Sequence, residues 1–394
     1  MRWPEQWRDA SRLELIRDTP VNCLVGRRPP PFPLGDLEFV KDGEAPGGVT
    51  LREGAWPRVR ASAEPGDVAS AGPTGGPWVE SNAGLIRLAR ALEPAKRVWL
   101  TYAPPPANEI IRFDEMHRSV AEAGAYGARW VIALHDSLRR GLENSTEAAL
   151  GAWQNITATL EFNRKHSEWE EWSPVAALAL VSPFAGESDF LAREFVNLAP
   201  RKDLALRIVP ASGFASASFK EQTAILYVGD NAPRGAVAAK LLRFAREGGL
   251  LILPEKPGAV TGAPVEKNQH LLYRFGQGRV AVPRQEWYDP YVLVTEAHSL
   301  IGRRRDVIRI WNGGALNTYL LTAPGCDRGV IHLVRYGQPK LDAQDVTLGL
   351  AGRYRRARIR TQEGVREVEI VERRLGVEIP LPHFSVFAAV ELEM

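Results

Sequence analysis

Two carboxylates sit where strand-like runs end. Glu80 closes the run GPWVES (76–81), and Asp136 closes RWVIALHD (129–136), with His135 directly before it. Tyr102 lies near the end of a third run, RVWLTYA (97–103), and Glu109 falls on the loop that follows. Trp78 lies within the first run. Side chains at the carboxyl ends of parallel strands converge on one mouth. One carboxyl group there can donate a proton while a second acts as base or nucleophile. The expected catalytic pair is therefore Glu80 and Asp136, with Tyr102, His135, Glu109 and Trp78 as substrate-binding neighbours. A structural reading competes. Asp136 would cap the helix begun by SLRRGL, and Glu80 would pair with an arginine.

Other chemistries lack their residues. The two cysteines, Cys23 and Cys326, are far apart, the seven histidines are scattered, and no HExxH occurs, so no metal site is expected. Neither GxGxxG nor GxxxxGK[ST] is present, and no cofactor is expected. The formal charge of +3 is spread along the chain, which argues against a nucleic-acid partner. No apolar run reaches the roughly 18–20 residues of a membrane span. The first 18 residues are amphipathic and charged and hold no apolar core of a secretory signal, so a cytoplasmic location is expected. Arg356, Arg358 and Arg360 share one face of a strand by alternation. A solvated outer face, paired with Glu363, Glu367 and Glu369, is the expected meaning.

The elements that must position these residues change character along the chain. With 394 residues, two or three domains are expected. Before Trp172, strand-like runs at 21–26, 76–81, 97–103 and 129–136 alternate with helical spacing at 5–17, 82–92, 109–128 and 146–169. Residues 40–76 read mostly as loop. Short alternating elements favour parallel strands with crossover helices. After Ser173-Pro174, near-continuous apolar runs such as VAALALVSPF read as strands buried on both faces. Helical spacing appears between them at 187–199 and 234–247. From about 270 the pattern becomes period-2 with frequent turn signals, the spacing of a β-sandwich.

GAYGARWVIALHD, a long tryptophan-bearing helix and EWSPVAALALVSP, together with a tail closing on GVEIPLPHFSVFAAVELE, resemble family 42 β-galactosidases and their relatives. The resemblance implies a TIM-like (β/α) barrel, then a Rossmann-like domain of glutamine-amidotransferase fold, then a β-sandwich. The implied divisions are 1–172 for a truncated barrel, 173–268 for the amidotransferase-like α/β domain and 269–394 for the sandwich. A full barrel takes about 250 residues, so the barrel here is incomplete. The family carries one catalytic glutamate after an asparagine on the fourth strand and another on the seventh. The one Asn-Glu pair here, Asn108-Glu109, follows a triple proline instead of ending a strand. Glutaminase chemistry is excluded, because no cysteine and no histidine lies between Val175 and Leu253.

The resemblance implies a carbohydrate ligand. Hydrolysis would need the carboxyls of Glu80 and Asp136 about 5–5.5 Å apart for retention, or about 6.5–9.5 Å apart for inversion. Trp99 and Trp130, embedded in apolar runs, read as core, and Trp169 and Trp172 as packing at the domain junction. The alternative to an enzyme is an inactive sugar-binding or assembly module of the same architecture. A homo-oligomer is expected, because an incomplete barrel leaves strand edges that need cover.

Overall fold

The computed structural model describes residues 1–59, 79–109, 111–113, 116–287, 289–337 and 346–394. Trp78 lies outside the described residues. The first part contains β1 (Cys23–Gly26), β2 (Glu38–Lys41), β3 (Val49–Glu53) and the paired β4 (Arg58–Val59) and β5 (Val79–Glu80). There follow α1 (Ala83–Leu92), β6 (Arg97–Thr101), α2 (Arg118–Ala125), β7 (Ala128–Trp130), α3 (Asp136–Glu143) and α4 (Glu147–Lys165). β1 pairs with β2, and β6 lies between β3 and β7, all in parallel. Residues 1–3 stitch the two sheets together. Arg2 bridges Val25 of β1 in parallel, and its amide donates to Ile132 O at 2.7 Å.

The result is an open arc in the order β2, β1, residues 1–3, β7, β6, β3. Its concave side is packed, not hollow. Trp99 of β6 contacts a cluster of Cys23 and Val25 of β1, Val40 of β2 and Val131 just after β7. Leu24, Val98 and Leu100 alternate to the other face and pack under the helices. Several local expectations shift. Residues 40–76 include β3, whose weak pattern is overridden by pairing with β6. The helix expected at 5–17 is a 3-10 turn, Ala10–Leu15, started by Asp9, which accepts the Ser11 amide at 2.9 Å. The expected helix at 109–128 is confined to α2, and the strand expected to reach 136 stops at Trp130.

The middle part begins with β8 (Ser173–Pro174), β9 (Leu178–Ser182), α5 (Asp189–Leu198), β10 (Leu206–Pro210), β11 (Ala224–Tyr227) and α6 (Gly235–Arg246). It continues with β12 (Leu250–Ile252), β13 (Val265–Lys267), β14 (His270–Phe275), β15 (Gly278–Pro283) and α7 (Pro290–Ile301). One sheet runs β10, β9, β11, β12, β15, β14, β13, and it is parallel as far as β15. Leu178 and Leu180 pack against α5 and α7, while Ala179 and Val181 pack against α6. Both faces are therefore covered, as the continuous apolar runs require. The division expected between 268 and 269 falls in the turn joining β13 to β14, and the sheet continues to Pro283. The period-2 reading from 270 also overlooks α7. Asp289 caps that helix by accepting the Tyr291 amide at 2.8 Å, and Pro290 occupies its first position.

The last part holds β16 (Ile308–Trp311), β17 (Leu316–Thr322), β18 (Arg328–Arg335), β19 (Thr347–Leu350) and β20 (Arg356–Thr361). β21 (Gly364–Val368), β22 (Val371–Arg373), β23 (Gly376–Pro380) and β24 (Phe387–Glu393) complete it. Two antiparallel sheets, β16-β19-β23-β22 and β21-β20-β24-β18-β17-β8, share one apolar core. The arginine face of β20 pairs as expected with Glu367 through Arg356. Its other partners are Glu391 and Glu393 of the neighbouring β24, which face Arg358 and Arg360 across the sheet. Among the described residues no helix is long and apolar enough to cross a membrane.

The three parts meet at buried polar groups. Ile331 and Leu333 of β18 face the sandwich core, whereas Val330 and Val334 face α2 and its neighbours. Glu122 of α2 is fully buried. Its carboxyl accepts from Asn82 N and Asn82 Nδ2, both at 2.8 Å, from Ser81 Oγ at 2.7 Å, and from Tyr336 Oη. The network ties α2 to the start of α1 and to the end of β18. Gly84 of α1 lies against α5, where an added Cβ would meet Asn197 Cα at 3.2 Å. Trp169 packs edge-on to His332 and tilted against Trp172, filling the junction as its sequence position suggests.

Tyr336→Phe removes one donor from a buried carboxyl and is expected to cost about 1.5–3 kcal/mol in chemical denaturation. Burial pushes the Glu122 carboxyl above its ordinary range, against its hydrogen bonds. Its folded-state stabilisation is thus complete at pH below the usual carboxylate range and is lost as pH rises through the raised value. Glu122→Gln, measured by denaturation across pH 4–8, is expected to remove that loss.

Candidate functional site

A groove of about 820 Å³ opens where the strands of the arc end. Gly26 ends β1 and residues 27–31 of the wall follow it, Asp42 follows β2, Pro104 follows β6, and Ala133 and Leu134 follow β7. Residues 4–8 follow the stitching segment 1–3. The groove is therefore at the carboxyl-end mouth of the arc, where side chains of parallel strands converge.

Two tryptophans form its floor. Trp3 and Trp7 are only 7% and 4% exposed and pack edge to face at 5.1 Å. Trp3 Nε1 donates to Trp7 O at 3.0 Å, and Trp7 Nε1 donates to Glu143 Oε1 of α3 at 2.8 Å. Arg2 crosses the mouth. It pairs with Asp42 at 3.1 Å and reaches Tyr102 O at 3.4 Å, linking the end of β2 to the end of β6. Arg139 is held from below by Asp136 and by Glu143, the latter at 2.6 Å. The rim is different. Arg8, Arg27 and Arg28 are exposed, and among the described residues their side chains form no ion pair or hydrogen bond.

The residues expected to converge are distributed. Asp136 lines the groove at the first position of α3, paired with Arg139 and, at 2.9 Å, with Arg140. The hydrogen bond from Arg139 holds its carboxyl below the usual carboxylate range, so it is an anion at neutral pH. His135 performs the capping expected of Asp136. Its Nδ1 accepts the Ser137 amide at 3.3 Å and lies 2.7 Å from Ser137 Oγ, and its Nε2 lies 3.3 Å from Pro106 O. With both nitrogens committed and the ring buried, it is a structural histidine. Tyr102 is buried between Trp56 and Trp130, and its hydroxyl donates to Ala133 O at 2.7 Å. Burial pushes its phenol up to about 12, which removes it from proton transfer near neutrality.

Glu80 does not line this groove. It accepts from Arg58 Nε at 3.0 Å, and the same guanidinium binds Glu109. Glu80 and Glu109 are thus brought together by Arg58, and neither lines the groove with Asp136. Among the described residues no group of three His, Cys, Asp or Glu side chains converges as a metal site would require. The groove has a rigid aromatic floor, an internal layer of neutralised charges and a cationic rim. Arg2, Trp3, Trp7, Arg27 and Arg28 escaped the sequence reading. Arg27 and Arg28 carried a usable signal, since VNCLVG was read as a strand and they stand directly after it.

No protein-family model and no curated protein sequence matches the chain. Solved structures do match in fold. Alpha-L-fucosidase isoenzyme 2 from Paenibacillus thiaminolyticus is similar over 75% of this chain and 60% of its own, with TM-score 0.50 and 11% identity. The β-galactosidase from Bacillus circulans sp. alkalophilus is similar over 79% of this chain and 57% of its own, with TM-score 0.51 and 9% identity. The chain thus spans less than two thirds of the length of either enzyme. Its fold is mixed α/β and glycoside-hydrolase-like, and it resembles the family 42 β-galactosidase type.

If the floor is structural and the rim is free, their substitutions must separate. Trp3→Ala is expected to cost about 3–5 kcal/mol in urea denaturation, as for other buried aromatic truncations. Arg27→Ala is expected to change stability by less than about 0.5 kcal/mol.

Proposed function

We propose that the groove at the mouth of the arc binds a saccharide, and that the chain does not hydrolyse it through Glu80 and Asp136. The architecture we assign is an incomplete (β/α) barrel, an amidotransferase-like α/β domain and a β-sandwich, in the manner of family 42 enzymes. The observation that carries the reading is the position and size of the groove. It lies at the strand ends used by barrel enzymes, and about 820 Å³ lies within the range of small-molecule sites.

The state of the carboxylates argues against hydrolysis. A glycosidase needs one carboxylic acid that keeps its proton until the leaving group takes it. Asp136 is held ionised by Arg139 and Arg140, and Glu80 is engaged by Arg58 outside the groove wall. Buried Tyr102 and His135 support the wall, and neither meets the ligand. Glu109 shares Arg58 with Glu80 and belongs to that ion-pair cluster.

Galactose- and fucose-containing oligosaccharides are the first ligands to test, because the two similar structures are a β-galactosidase and a fucosidase. Chromogenic glycosides of both sugars are expected to show no turnover above buffer. Titration calorimetry with oligosaccharides is expected to show binding that survives Glu80→Gln. Turnover that disappears in both Glu80→Gln and Asp136→Asn would restore the hydrolytic pair. Self-association is part of the proposal. The outer strand β13 leaves Val265 69% exposed at a sheet edge. Light scattering is expected to give a mass above that of one chain.

A further inference from the structure

Resting on the saccharide reading, we propose that the ligand is acidic, a saccharide bearing carboxylate or sulfate groups, and that Arg8, Arg27 and Arg28 recognise its charge. The inference follows from which charges in the groove are already satisfied. Asp42 is paired with Arg2. Asp136 is paired with Arg139, which Glu143 also holds. These inner groups neutralise one another and are fixed in place. Three guanidiniums on the rim have no such partner among the described residues, and Glu5 is the one lining carboxylate left to set against them.

A neutral sugar offers hydroxyls and carries no charge to set against these guanidiniums. Three uncommitted guanidiniums at one mouth instead match anionic oxygens, which their planar forks bind in pairs. Their placement is not that of scattered surface charge. Arg27 and Arg28 follow β1, and Arg8 follows the adjacent segment 1–3. Pro29, Pro30 and Pro31 come next in the chain and restrict the main chain that carries Arg27 and Arg28. Less freedom is then lost when a ligand docks. Trp3 and Trp7 are buried as floor, so ring stacking on them cannot supply the affinity, and charge is the recognition left.

Three probes of equal length test this by calorimetry: a galacturonate oligosaccharide, a sulfated galactose oligosaccharide and a neutral galactose oligosaccharide. At low ionic strength one or both acidic probes are expected to bind about tenfold tighter than the neutral one, the scale set by a few exposed ion pairs. The preference is expected to shrink as salt approaches about 1 M, where the screening length falls to about 3 Å. The double variant Arg27→Ala/Arg28→Ala is expected to lose about tenfold for the acidic probes and nothing for the neutral one. Its unchanged melting temperature would show that the fold is intact. Equal binding of acidic and neutral probes would overturn this inference and leave the saccharide reading standing. Inorganic sulfate binding as tightly as the sulfated sugar would also overturn it, since the rim would then be a simple anion site. No binding of any probe would overturn the saccharide reading itself.

Discussion

Three residues of backbone hold the arc in one piece. The amide of Val25 donates to Met1 O at 2.7 Å, Trp3 N donates to Val25 O at 2.9 Å, and Arg2 N donates to Ile132 O at 2.7 Å. Each such bond contributes only about 0.5–1.5 kcal/mol net. Their consequence is larger than their energy, because they join two sheets that otherwise end in facing, unpaired edges. Both walls of the mouth depend on that join. One wall follows β1 and β2, and the other follows β6 and β7. The same segment turns Arg2 across the opening and lays Trp3 and Trp7 beneath it. A groove built this way has a shape only while residues 1–3 stay in register.

An arc that does not close on itself must find cover for its helices elsewhere. The sandwich supplies it. β18 is buried on both faces because its second face packs on α2, and the Glu122 network fixes that contact through hydrogen bonds from α1 and Tyr336. Junction side chains such as Trp169 and His332 fill what remains. Buried residues carry the fold, and rim residues can vary at little cost.

The legible features were those with strong local patterns. β9, β11 and β12 were readable because strands buried on both faces are apolar without interruption. Trp99 and Trp130 were readable as core for the same reason. Other features depended on distant partners. β3 has only the pattern VTLRE, and its pairing with β6 makes it a strand. α7 was hidden because PYVLVTEAHSLI mixes β-branched and apolar residues, and its cap at Asp289 is the clearer signal. At the candidate site the sequence pattern placed Asp136, His135 and Tyr102 near strand ends, and of these Asp136 lines the groove. His135 and Tyr102 point into the protein, where their polar atoms meet backbone carbonyls and amides. Nothing in a single sequence distinguishes an inward from an outward side chain in the residues that follow a strand. Glu80 does pair with an arginine, the reading that competed with catalysis, but Arg58 stands 22 residues away along the chain and only the fold identifies it.

The most direct test is a crystal structure of the protein with a galacturonate oligosaccharide. The account predicts the sugar along the mouth of the arc, with its carboxylates facing Arg8, Arg27 and Arg28 and its rings above the Trp3–Trp7 floor. A sugar bound beside Glu80 and Arg58, with the mouth left empty, would contradict it.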